Sequence, residues 1–176
     1  MWGSVLAWGA WGWAQPIYYD YGSGGNIYCE GDTIYINEQP YPAEQYSESM
    51  EAIATNVPEA DPEKVEWMPL GVFALTNDAG TDPTMYLQLA VSKEGIIAGG
   101  YENTTTGAFE SVEGMVDAKT QRAVWGIVGK ERPLMETGVY NLTQDETTAF
   151  VHFAGGEVQE WLMVRLPEPE EEAPAN

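Results

Sequence analysis

From Trp67 to Leu166 the chain keeps a single period, and that period is two. Met85, Leu87, Leu89 and Val91 alternate with Tyr86, Gln88, Ala90 and Ser92. Ala123, Trp125 and Ile127 repeat the pattern, as do Ala149, Val151 and Phe153, and then Leu162, Val164 and Leu166. Successive side chains of a strand point to opposite faces, so each run reads as a strand with one buried face. Turn-forming residues separate the runs at Asn77-Asp78-Ala79-Gly80, Lys93-Glu94-Gly95, Thr104 to Gly107, Asp117 to Thr120, Gly129 to Pro133, Asn141 to Glu146 and Gly155-Gly156. The pattern predicts eight strands, near 68–76, 84–92, 95–103, 108–116, 121–128, 134–141, 147–153 and 158–166. Parallel neighbours need crossovers of about a dozen residues or more, and these links are shorter. The expected fold is therefore mainly β: an antiparallel meander that buries its apolar face by closing as an up-and-down barrel or a flattened sandwich. Closure also removes exposed strand edges.

Upstream, residues 17–66 are expected to form a β-hairpin, a helix and an acidic linker. Ile27-Tyr28-Cys29 and Thr33-Ile34-Tyr35-Ile36 are strand-like, with Glu30-Gly31-Asp32 as the turn. From Pro42 to about Asn56 the period lengthens: Ala43, Tyr46, Met50, Ile53 and Val57 recur at three- and four-residue steps, with Glu44, Glu48 and Glu51 on the other face. Pro42 suits a first helical turn and Pro58 ends the helix. Glu59 to Glu66 is the linker, leaving 67–166 as the antiparallel β-domain.

The two ends differ from the rest. Residues 1–16 hold no charge and carry Trp2, Trp8, Trp11 and Trp13 in a Gly/Ala background. The strongly apolar part ends near Ala14, and a helix of about 14 residues covers roughly 21 Å, short of a bilayer core of about 30 Å. It reads as the end of an export signal or anchor without its basic start, or else as a packing segment. An intact cytosolic product that keeps Met1 would contradict the export reading. Residues 167–176 combine three prolines with Glu168, Glu170, Glu171 and Glu172, and are expected to be a disordered tail.

The formal charge is −21, from 28 acids and 7 bases. Nucleic-acid affinity depends on Lys and Arg neutralising phosphates, so nucleic acid is excluded as a partner, and an anionic membrane surface with it. The acids are not uniform: residues 67–166 hold thirteen against six bases, and residues 42–66 hold seven against Lys64. The excess is expected to be a solubilising coat rather than a mark of one cationic partner.

One cysteine, Cys29, and one histidine, His152, leave no intrachain disulfide and no Cys/His zinc cage. Gly22-Ser23-Gly24-Gly25 does not match a nucleophile elbow. Cys29 reads as a small hydrophobe. His152, between Val151 and Phe153, is expected on the opposite, solvated face of its strand. No catalytic residue and no cofactor is expected.

Several runs resemble one known family. They are Glu30-Gly31-Asp32-Thr33-Ile34-Tyr35-Ile36-Asn37, Glu66-Trp67-Met68-Pro69-Leu70-Gly71-Val72-Phe73-Ala74-Leu75, and Leu87-Gln88-Leu89-Ala90-Val91-Ser92-Lys93-Glu94-Gly95-Ile96-Ile97. Lys119-Thr120-Gln121-Arg122, Glu136-Thr137-Gly138-Val139-Tyr140-Asn141-Leu142-Thr143 and Trp161-Leu162-Met163-Val164-Arg165-Leu166 add to them. Together they resemble a planctomycete family of predicted exported, cell-surface proteins often labelled "mu-protocadherin". The resemblance implies a bacterial envelope or surface protein, with an envelope partner, and offers no catalytic set to transfer. Cadherin calcium motifs of the D-R-E, D-x-N-D-N and D-x-D kinds are absent, so no calcium ligand carries over.

Three functions follow as expectations. The first is a non-enzymatic exported or cell-surface protein with a structural or binding role. The second is a lipocalin-like carrier, with Leu89, Trp125 and Phe153 lining a barrel interior that holds a small apolar ligand. The third is a carboxylate-based hydrolase. Asp78 and Asp82, in the loop between the first two predicted barrel strands, are the oxygen-ligand candidates for a metal ion. Tyr86 and Trp161 are expected on the outer face, as a contact surface or beneath the helix.

Overall fold

The computed structural model describes residues 16–22, 24–61, 63–77 and 83–167. The uncharged N-terminal run up to Gln15, the Pro/Glu tail beyond Pro167, and Asp78 and Asp82 lie outside the described residues. The elements run in chain order as β1 (Ile27–Glu30), β2 (Thr33–Ile36), β3 (Gln39–Pro42), α1 (Ala43–Thr55), β4 (Trp67–Thr76), β5 (Met85–Ser92), β6 (Ile96–Asn103) and β7 (Ala108–Asp117). They continue as β8 (Arg122–Ile127), β9 (Leu134–Gly138), β10 (Glu146–His152) and β11 (Val158–Arg165), with 3-10 turns at Asn141–Thr143 and Ala154–Gly156. No described helix is long and apolar enough to cross a membrane.

Strands β4 to β11 form a closed eight-stranded barrel in which each strand pairs antiparallel with the next and β11 returns to β4. The meander expected from the alternation is the fold. Its interior is the larger apolar core, built from Leu70, Phe73, Leu75, Leu87, Leu89, Val91, Ile97, Val112, Val116, Ala123, Trp125, Ala149 and Met163 among others. Gly114 sits between Val112 and Val116 and pairs with Trp125. A Cβ at Gly114 would run into the Val124 carbonyl and the Trp125 backbone, so only glycine lets these strands close together there.

One strand takes the other phase from the expected one. In β11 the inward residues are Met163 and Arg165, opposite Leu75 and Phe73 of β4, so Leu162, Val164 and Leu166 face outward. Trp161 shares the inward phase and packs against the barrel core, not on the outer face. Both faces of β11 are apolar, and alternation alone cannot rank them. The tie is broken by neighbours: residues 18–21 lie beside Leu162 on the outside.

The two barrel ends differ. At one end the 3-10 turn folds inward and buries Leu142, with Val139, against the core. Arg165 locks this end: Nε donates to Gln144 O at 3.2 Å, Nη1 to Leu70 O and Nη2 to Leu142 O, while the guanidinium stacks over Phe73 at 5.0 Å. The register of β4 and β5 slips between Pro69 and Gly71, forming a bulge that frees the Leu70 carbonyl for this contact. Gly71 has φ +143, and a Cβ there would strike the guanidinium.

The expected hairpin is a three-stranded sheet, because β3 pairs with β2 from Thr33 opposite Pro42 to Ile36 opposite Gln39. This sheet and α1 cover one outer side of the barrel. Ile27, Ile34, Ala43, Tyr46 and Met50 pack with Val124, Leu134 and Phe150 into a second core. The segment before β1 is strapped on by Asn141, whose side chain reads one backbone unit twice: Oδ1 accepts from Tyr19 N at 3.0 Å and Nδ2 donates to Tyr19 O at 2.7 Å.

Candidate ligand cavity and a buried polar cluster

The described residues do not fill the end of the barrel opposite Arg165. A cavity of about 280 Å³ opens there, walled by Leu75, Leu87, Val112, Trp125, Phe153 and Trp161, with Val151, Met135 and Tyr101 among its other neighbours. Among the described residues the turn that folds into the barrel, burying Leu142, is at the far end. The polar residues of the wall are mostly engaged. Asn103 Oδ1 accepts from Thr105 N at 3.0 Å, Thr106 Oγ1 accepts from Ala108 N at 3.2 Å, and both thereby build the β6–β7 turn. Glu110 pairs with Lys130 at 3.1 Å, and Trp161 Nε1 donates to Gln159 Oε1 at 2.9 Å. Trp125 differs: its indole Nε1–H is sealed from solvent and has no acceptor among the described residues.

Of the three expected ligand residues, Trp125 and Phe153 lie on this wall, and Leu89 lies in the packed core rather than on it. A second depression, beside the hairpin and lined by Asp20, Asn26, Tyr28, Asn37 and Glu38, is broad and open. Its Asn26 Oδ1 is already taken by Asp20 N at 3.0 Å.

The other concentration of chemistry is a buried cluster between α1 and the barrel. His152 is on the face opposite the barrel interior, as expected, but that face is covered by α1 and not solvated: His152 is 0% exposed. Its Nδ1 is 2.7 Å from Ser47 Oγ and its Nε2 is 2.8 Å from Glu136 Oε1. Glu136 Oε2 accepts from Tyr46 Oη at 2.7 Å and from Tyr21 Oη at 3.0 Å. Every one of these bonds is satisfied with a neutral histidine that donates from Nε2 and accepts the Ser47 hydroxyl at Nδ1. Arg122 completes the group, its guanidinium 5.0 Å from the Tyr19 ring and 5.3 Å from the Tyr46 ring. Burial disfavours its charge, yet Tyr46 and Glu136 beside it hold its pKa above the usual value.

The serine–histidine–glutamate chain is a catalytic composition in a sealed setting. Ser47, His152 and Glu136 are 1%, 0% and 0% exposed, so no substrate reaches Oγ while α1 is seated. The cluster ties α1 to strands β9 and β10 across the second core. Cys29 is not part of it; its thiol lies 3.6 Å from Gly31 O. Among the described residues no group of three or more His, Cys, Asp or Glu is placed to hold a metal ion.

Tyr21 and Tyr46 titrate well above tyrosine's ordinary 10.0, because burial disfavours the phenolate and the Glu136 charge opposes it further. Unfolded, both titrate near 10. The stability tied to their protonated forms is therefore complete below pH 10 and falls as pH rises from there toward the folded values, by up to about 1.4 kcal/mol per pH unit for each. Alkaline titration should show two of the ten tyrosines ionising only as the circular-dichroism signal of the fold is lost. Ionisation of all ten ahead of unfolding would show that the cluster is not sealed.

Sequence reasoning missed the cluster. Ser47 sits in the helix among glutamates and Glu136 is one acid of 28, so neither announces itself. The available signal was the position of His152 next to Phe150 on one strand face, which a helix of matching apolar stripe must cover. Compared with protein-family models, curated proteins and solved structures, the chain matches none.

Proposed function

We propose that this protein is a non-enzymatic binding module whose barrel holds a small, largely apolar ligand at its open end. The observation that carries the reading is the asymmetry of the interior: one end is packed by Leu142 and locked by Arg165, and the other keeps a cavity of about 280 Å³ with aromatic and aliphatic walls. Ligand pockets run from roughly 300 to 1,000 Å³, so this one suits a compact molecule. A closed β-barrel supplies the rigid frame that such a site requires. The setting we propose is a bacterial envelope or surface, supported by the uncharged, tryptophan-rich start, the acidic coat and the family resemblance.

Titration with N-phenylnaphthylamine, an uncharged dye that brightens in apolar surroundings, tests the cavity. Saturable one-site binding is expected. Val151, 2% exposed on the cavity wall, offers the control: Val151→Phe fills the space and should weaken the dye by at least about tenfold while the circular-dichroism spectrum is unchanged. Dye binding that does not saturate, or that ignores the substitution, would refute the site.

A further inference from the structure

The chemistry of the ligand is also written into this cavity, and the inference rests on the binding role just proposed. Buried polar groups in folded proteins are nearly always hydrogen-bonded, and an exception asks for an explanation. Among the described residues only two buried side-chain polar atoms lack a partner, Arg122 Nε and Trp125 Nε1. The first belongs to a guanidinium held between two tyrosine rings in the polar cluster. The second belongs to a tryptophan on the wall of the apolar cavity.

An indole nitrogen is a donor and nothing else, so the missing partner is an acceptor. No side chain of the wall supplies it: Trp125 Nε1 has no hydrogen-bond partner among the described residues. The charge of the partner follows from the surroundings. Among the described residues no Lys or Arg lines the cavity, and the one carboxylate on it is Glu110 at the mouth. The protein carries −21 overall, so its field opposes the approach of an anion. A single neutral N–H does not compensate a carboxylate or phosphate for loss of water in apolar surroundings, whereas it does satisfy a ketone, ester or ether oxygen.

We infer that the ligand is an uncharged, compact apolar molecule bearing a carbonyl- or ether-type oxygen that accepts a hydrogen bond from Trp125 Nε1–H. Fatty acids and other anionic amphiphiles are thereby excluded, although an apolar barrel alone would admit them. In the free protein the N–H is closed over by its neighbours, so this inference requires the indole to turn toward the oxygen when the ligand binds.

Three probes of one size separate the terms: acetylnaphthalene, isopropylnaphthalene and naphthoate, each titrated calorimetrically into the full chain. Acetylnaphthalene should bind about five- to tenfold more tightly than isopropylnaphthalene, the value of one recovered neutral hydrogen bond. Naphthoate should bind at least about tenfold more weakly than either. Trp125→Phe keeps an aromatic wall without the donor and should bring the first two probes within about twofold of each other. On the unsubstituted protein, the Trp125 indole proton signal should move downfield with acetylnaphthalene and not with isopropylnaphthalene, a readout that does not depend on the variant folding. Equal affinity for the two neutral probes, or naphthoate as the tightest, overturns the assignment to Trp125 while leaving the cavity intact as a site. Failure of all three to bind overturns the cavity reading itself, and this inference with it.

Discussion

Glu136→Ala is expected to lower the stability of the fold by about 3–5 kcal/mol, close to what removal of one partner from a buried charge network costs. Three hydrogen bonds end on this carboxylate, from Tyr21, Tyr46 and His152, and the residue is 0% exposed. Alanine leaves both phenols without the Glu136 acceptor and removes a negative charge that favours the charged Arg122 guanidinium. Water cannot reach in to substitute while α1 is seated. Glu136→Gln separates the two contributions. Its amide oxygen still accepts from the tyrosines, and its NH₂ turns His152 into an acceptor at Nε2, so that Nδ1–H donates to Ser47 instead. The glutamine variant thus keeps the bonds and loses the charge, and should recover part of the loss but not all. Urea unfolding of the three proteins measures this. A glutamine variant as stable as the parent would mean that Arg122 does not depend on Glu136. An alanine variant within about 1 kcal/mol of the parent would mean that the cluster does not hold α1.

The second large effect is expected at the closed end of the barrel. Arg165→Met retains an apolar stem over Phe73 and removes the donors that reach the carbonyls of Leu70, Leu142 and Gln144. Each hydrogen bond from a charged donor contributes about 1.5–3 kcal/mol, but water entering at the rim offsets part of that sum, and a loss of about 3 kcal/mol is expected. Arg165→Lys should recover less than half, because one ammonium on a single stem cannot place donors on three carbonyls that a planar guanidinium spans. Hydrogen exchange locates the damage: the amides of Thr143 and Gln144, which close the 3-10 turn on Tyr140 O and Asn141 O, should lose protection before those of β6 and β7. Uniform loss around the barrel would show that Arg165 supports the whole fold rather than this end.

The parts of the structure legible in the sequence are those governed by local period. The strands carrying Leu87, Leu89 and Val91, or Ala123 and Trp125, put their apolar residues inside as alternation requires, because their other faces are polar or small enough to settle the phase. The helix from Ala43 to Thr55 was legible for the same reason, down to Tyr46 and Met50 on its buried side. Val57 fell outside, at 40% exposed, because the helix ends two residues before it. Where two faces were equally apolar, as on β11, the period gave no preference and the packing neighbours chose.

What alternation and short turns determined, without any reference to tertiary contacts, is an eight-stranded antiparallel meander that must close: unpaired edges and an uncovered apolar face leave no other stable arrangement. They also placed Trp125 and Phe153 on inward positions. What only the tertiary structure decided is which inward residues meet packed neighbours and which meet space, since that depends on the turn that folds in at the Leu142 end. The same holds for His152. Its strand face was set by parity, but its burial depended on α1 crossing over it, and only that crossing brings Ser47, Glu136, Tyr21 and Tyr46 within hydrogen-bonding distance of one another. Period is a property of neighbours in sequence; a cavity and a polar cluster are properties of residues about 100 apart along the chain, such as Ser47 and His152, whose separation is 105.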